Sequence, residues 1–336
     1  MKQGTEQRNG IRSAAVTVDL TAVIVAVTDG EPRVLTVGGE GTGATEALPS
    51  GPLAREHRTL EQGLRAWVEA RTGQSLGYVE QLYTFGDLDR QVGAKGAGAA
   101  RVLSIGYLAL VREARSPAGG PAVWRDWYRY FPWEDWRRSR PATLEAIEPV
   151  LGRWADVAPT VGERQGRRER LAVAFGFGGG WSEDRVLERY ELAYETGLVH
   201  EPHRDQPTAT LATLEPGTGV PMQADHRRIL ATAIARLRGK IKYRPVVFEL
   251  MPPAFTLLQL QQTVEALAGV RLHKPNFRRL VQQQGLVEET GAVTLGTGGR
   301  PARLVRFRRE ALVERPAPGL RVRARGGARR RAAPHS

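Results

Sequence analysis

A chain of 336 residues with 41% hydrophobic and 25% charged residues is globular in composition, and its length suits about two domains of roughly 100–200 residues each. It has no cysteine, which excludes a disulfide framework, cysteine-ligated zinc and a cysteine nucleophile, and fits a reducing compartment. The net charge of +13 is uneven: 255–314 holds nine Lys/Arg against five Asp/Glu, the residues after it hold seven Arg and no acid, and all that precedes carries only +2. That asymmetry predicts a polyanionic partner, first of all double-stranded DNA, with a solubilising tail as the alternative for 315–336.

The apolar run 14–27 follows Lys2, Arg8 and Arg12, as in a signal peptide. Thr17, Asp19 and Thr21 interrupt it and β-branched residues dominate, so it reads as a buried strand. No stretch approaches the ~20 apolar residues of a membrane span. The chain is expected to be soluble and cytoplasmic, with no membrane partner.

Asp29-Gly30 is a hairpin turn leading to a second strand over 33–37, and 38–51 is a glycine-rich loop. Thr59 caps a helix over 59–72 that places Leu60, Leu64, Trp67 and Val68 on one face and ends at Gly73. Strands follow over 79–85 and 102–111, separated by a mobile loop over 89–100. The run 124–136 is aromatic-dense and reads as core, with stacking on an adenine ring as its functional alternative. Residues 137–221 are helical, with a hinge at Gly176–Gly180 and a clear helix over 184–198. A long helix over 224–242 carries Ile229, Ala233, Leu237 and Ile241 at i+4 spacing and is a candidate dimer element.

From Phe255 onward the order is helix, turn, helix, hairpin, that of a winged helix-turn-helix. Thr256 caps the first helix, and Lys274–Gln284 forms the second with Phe277, Leu280 and Val281 inward. A 100° advance per residue then turns Arg279, Gln282 and Gln283 outward, with Lys274, Asn276 and Arg278 flanking the same acid-free face. Arg and Asn/Gln pair bidentately with guanine and adenine edges. Lys274, Asn276, Arg278, Arg279 and Gln282, with Arg300 at the hairpin tip, are the candidate DNA contacts, and Arg303 at the same tip is a further candidate for phosphate or the minor groove. Residues 315–336 have a disordered composition.

The stretch LPSGPLAREHRTLEQGLRAWVEARTGQ has the layout of a Nudix box. Together with YVEQLYTFGDLDR, RVLSIGYLALV and the run from ADHRRIL to HKPNFRRLV, it resembles the Nudix-related transcriptional regulators. The resemblance covers roughly 14–136 and 220–312, leaving 137–219 as an extra helical region of no assigned role. It implies an α+β fold: a Nudix-like mixed sheet with packed helices (11–136 with 220–250), a helical insertion (137–219), a winged-helix DNA-binding domain (251–314) and a basic tail (315–336). It also implies a homodimeric repressor of NAD-related genes that responds to an ADP-ribose-type nucleotide and needs no cofactor. From the matched segments the effector set is Arg71, Asp87, Arg90, Arg101, Asp225 and His226.

The box departs from a working one, whose glutamates bind a divalent metal that activates water. Aligned on Thr72-Gly73, Ala66-Trp67 and Ala70-Arg71 stand where Arg-Glu and Glu-Glu belong. Aligned on Gly51, Arg65 and Glu69 are kept, but His57, Ala66 and Ala70 replace three glutamates. No metal site and no catalytic residues are expected, and Glu61, Glu69 and Glu80 read as surface charge. The rival readings are an active pyrophosphatase on ADP-ribose-like nucleoside diphosphates and an RNA- or protein-binding adaptor.

Overall fold

The computed structural model describes residues 16–38, 45–87, 101–112, 122–178, 180–206, 217–294, 301–314 and 319–320. The glycine-rich loop expected over 89–100, the wing-tip glycines 296, 298 and 299, and nearly all of the tail lie outside the described residues.

Six strands form one mixed sheet: β1 (Val16–Thr28), β2 (Glu31–Val37), β3 (Ser50–Pro52), β4 (Tyr78–Phe85), β5 (Arg101–Leu110) and β6 (Ala122–Asp126). The order is β4-β5-β1-β2-β6, with β3 also paired to β1. β1 runs parallel to β5 along Val16–Val25 and antiparallel to β2 through the Asp29-Gly30 turn. Both turn residues have positive φ (52° and 75°), the primed geometry whose twist suits a hairpin. β1 is almost continuously apolar because both its faces are covered. Leu20, Ala22 and Ile24 pack with Leu64 and Val68 of α1 (Leu60–Thr72), while Val23 and Val25 face the opposite side with Ile229, Ala233 and Leu237 of α6 (His226–Ile241). α1 is bounded as expected: the Thr59 hydroxyl accepts from Gln62 N–H and Gly73 ends the helix at φ 66°.

The structure differs from the sequence reading at two places in the sheet. The presumed loop 38–51 contributes Ser50–Pro52 to β1, and the start of the aromatic run is a strand, with Trp124 opposite Leu35. The rest of that run is core: Trp127, Tyr128, Tyr130, Phe131 and Trp133 are all buried, which removes the adenine-stacking alternative for them.

The segment expected as a helical insertion comprises α2 (Thr143–Asp156), α3 (Val161–Phe175), α4 (Val186–Glu195) and α5 (His200–Asp205). α4 packs on α6, so α6 lies between the sheet and the insertion. Its apolar positions are used inside the chain rather than offered to a second copy.

The winged helix has α7 (Leu257–Ala268), α8 (Lys274–Gln283), β7 (Val287–Thr294), β8 (Ala302–Phe307) and a short α9 (Ala311–Glu314). Thr256 and Gln259 form a capping box at the start of α7. Phe255 pairs with Val305 across the unit, and Phe248 stacks on Phe307 at 4.3 Å, joining the linker to the wing. Two residues of the tail depart from its disordered reading: Leu320 is fully buried and its N–H donates to Ile241 C=O at 2.8 Å.

Candidate functional sites

The second helix of the winged helix presents the expected face. Phe277 and Val281 are buried and Leu280 half-buried, which turns Lys274, Asn276, Arg278, Arg279 and Gln282 to solvent. Arg279 Nη2 lies 3.3 Å from Asn276 Oδ1, one turn away, so the two side chains share one patch. Lys274 opens the helix, and no side chain caps its N-terminus. Uncapped N–H groups and a cation there suit a phosphate. Arg300 lies outside the described residues. Arg303 is tied to Glu289 at 2.8 Å and Arg306 to Glu288 at 2.5 Å, so these wing cations are partly neutralised on their own hairpin.

The six residues of the expected effector set do not form one site. Arg71 is exposed on α1, its guanidinium 5.5 Å from the Trp67 ring, on the face of the sheet opposite α6. Arg90 lies outside the described residues. Three others do gather at the start of α6. Asp87 and Asp225 are joined through Arg228, at 2.5 and 3.3 Å, and Arg101 donates to Gly86 C=O at 2.8 Å. Arg228 also binds Glu191 of α4 at 2.5 Å, so the insertion reaches into this cluster. Sequence reasoning missed Arg228 and Glu191. Arg228 lies just past the Asp225-His226 pair, but nothing local placed the insertion beside it.

His226 is a correction. It is buried, its Nδ1 accepts the Leu48 N–H at 2.9 Å, and Nε2 sits 3.4 Å from Ser50 Oγ. Burial, with Arg204 nearby, pushes its pKa down to about 4. It is a neutral clamp between α6 and the strand before α1, with no ring nitrogen left for a ligand.

The Nudix-box region is organised around an indole. Trp67 lies so close over Gly51 that a Cβ there would come within 1.9 Å of its Nε1. Arg65, in the middle of α1, ties the helix to the segment just before β4: it pairs with Glu61 at 2.9 Å and donates to the carbonyls of Leu76 and Gly77. Glu80 faces the other side of the sheet, bound to Lys240 at 2.5 Å. Among the described residues no three His, Cys, Asp or Glu side chains come together as metal ligands would. The Gly51→Ala change is expected to cost about 1–3 kcal/mol by overpacking. In a Trp67→Ala background the cost should vanish, so a double-mutant cycle by urea denaturation must show coupling; additive effects would refute the contact.

A mixed-sheet domain covered by helices on both faces and joined through α6 to a winged-helix unit defines the architecture. Residues 247–307 match the family described as the NrtR DNA-binding winged helix domain. The ADPR responsive transcriptional repressor NtrR of Acinetobacter baylyi is 38% identical over 115 residues, which span 34% of this chain and 44% of that protein, so less than half of that relative's length is matched. Crystal structures of Shewanella oneidensis NrtR, alone and complexed with a 27mer DNA, each align with TM-score 0.52 at 19% identity, over 88% of this chain and 95% of theirs. That likeness establishes a shared fold. Residues 247–307 therefore form an NrtR-type winged helix, and the chain as a whole shares the fold of NrtR. No helix among the described residues is long and apolar enough to cross a membrane.

Proposed function

We propose that this protein is a DNA-binding transcriptional repressor whose Nudix-like domain senses an ADP-ribose-type nucleotide, with NAD-related genes as targets. The observation that carries the reading is the α8 face: six exposed, acid-free polar side chains on the second helix of a winged helix. The named relative, an ADPR responsive repressor, supports the same reading for the effector. The chain acts as a homodimer, since winged-helix regulators read two half-sites related by a two-fold axis. The effector region is the Asp87–Asp225–Arg228 cluster with Arg101. A ligand there changes DNA binding only by favouring one arrangement of the molecule over another. Hydrolysis is not its role. In either alignment of the box Ala70 stands where a metal-binding glutamate belongs, Trp67 covers Gly51, and Glu61 and Glu80 are paired on opposite sides of the sheet.

The test is fluorescence anisotropy of the protein on duplex from its own promoter, against random duplex, with and without ADP-ribose. Preferential binding that ADP-ribose weakens is expected. Equal binding to both duplexes would end the regulator reading. Mg²⁺-dependent release of AMP from ADP-ribose would restore the hydrolase. Within the face, Arg279→Ala and Asn276→Ala should each cost about 1–3 kcal/mol on the specific duplex and little on the random one.

A further inference from the structure

Three segments distant in sequence meet at one buried carboxylate. Glu134, in the 3-10 turn Pro132–Glu134 near the end of the aromatic run, is 1% exposed. Arg189 of α4 grips it with two bonds, at 2.5 and 2.9 Å, and Arg238 of α6 binds it at 2.6 Å. Both arginines are essentially without solvent contact. Arg189 also donates to the carbonyls of Ala174 and Ser182, at 2.7 and 2.9 Å, so its guanidinium is held entirely by the insertion and Glu134.

Arg238 faces the other way. Its Nε donates to Leu267 C=O at 2.9 Å, in the last turn of α7, and its Nη1 also reaches Glu183 C=O of the insertion at 3.0 Å. The free carbonyls at a helix C-terminus carry partial negative charge, and a guanidinium is matched to them. Tyr128 adds a second bond to the same turn, its hydroxyl donating to Ala266 C=O at 2.7 Å. Gly269 closes α7 at φ 72°, so tightly that a Cβ there would approach Glu134 C=O to 2.5 Å. Trp136 N–H then donates to Gly269 C=O at 2.7 Å. The turn into α8 is therefore seated on the sensor domain, not tethered to it.

We infer that the helical insertion has a function: through Arg189, Glu134 and Arg238 it fixes the orientation of the winged helix, with Arg238 as the positioning residue that holds α7 and thereby aims α8. A single guanidinium touches the sensor helix, the insertion and the DNA-binding unit. A lysine cannot make these contacts together, because it lacks the planar fork. The claim about orientation stands without DNA, whereas its consequence for affinity rests on the regulator reading.

The chain has no native cysteine, so cysteines placed at Val157, 75% exposed at the end of α2, and at Ala292, exposed on the wing, take spin labels specifically. Double electron–electron resonance on the full-length protein should give one narrow distance distribution. Arg238→Lys should broaden it while the protein still melts cooperatively. If the winged helix is then correctly aimed only about one tenth of the time, promoter DNA binds about tenfold more weakly. A distribution as narrow as wild type in Arg238→Lys overturns the inference. Should that variant fail to fold, Tyr128→Phe, which removes one hydroxyl from the same clamp, decides by the same criterion. Failure of the wild type to bind DNA would end the regulator reading and leave the distance measurement in force.

Discussion

Arg227→Met is expected to destabilise the protein by about 3–5 kcal/mol, the usual consequence of removing one partner of a buried ion pair. Arg227 is completely buried in the first turn of α6. It pairs with Glu201 of α5 at 3.2 Å and donates to Tyr130 C=O at 3.0 Å and to Thr218 C=O at 2.5 Å. Its guanidinium also lies 5.4 to 5.6 Å from the ring centres of Phe131, Trp133 and Tyr190. Methionine fills similar space but removes the ion pair of Glu201, which is 1% exposed, together with the bonds to the Tyr130 and Thr218 carbonyls. Urea denaturation reads the loss as a lower midpoint at an unchanged slope. A second change, Glu201→Gln, should recover part of it by removing the uncompensated charge. If Arg227→Met costs less than about 1 kcal/mol, as an exposed pair would, the network is not a structural joint between insertion and sheet domain.

The second large effect is a loss of stability in mild acid that originates at His226. Its pKa is about 4 in the folded chain, against an ordinary 6.5. As pH falls through 6.5 the unfolded chain takes up a proton that the folded chain refuses until about 4, so the unfolded state binds more protons and is favoured. The contribution is fully present above pH 6.5 and is lost progressively towards pH 4, to a total of about 3 kcal/mol. The physical cause is burial, because charging the ring would strand a cation without solvent and cost the Leu48 N–H its acceptor. His226→Gln offers an acceptor that does not titrate. Its stability measured from pH 7.5 down to 4 should fall less steeply than that of the wild type. Parallel curves would show that His226 is not the group responsible.

Helix and strand positions were legible where the signal is local. β1, the Asp29-Gly30 turn, α1 with its caps, α6, and the whole helix–turn–helix–hairpin order follow from periodicity and capping, which act over a few residues. The outward face of α8 was legible for the same reason: burial of Phe277 and Val281 leaves Asn276, Arg279 and Gln282 no other side to occupy. The C-terminal concentration of positive charge required no structure at all.

Partnerships across the chain were not legible. Trp124 becomes a strand residue because Leu35 lies opposite it, and Ser50–Pro52 because β1 has an open edge there. Arg189, Arg227 and Arg238 look in sequence like solvated helix charges, yet each is buried on a glutamate 26 to 104 residues away. His226 matched a ligand position by resemblance, but the fold delivers Leu48 and Ser50 to its two ring nitrogens. Arg71 was separated from Asp87 and Asp225 by the sheet itself, since alternate residues of β1 send α1 and α6 to opposite faces. Local pattern determined which elements this protein makes and which way α8 faces. Only the tertiary structure decided which charges are joints and which remain for a ligand, because a charge enters the core only where distant segments bring it a partner.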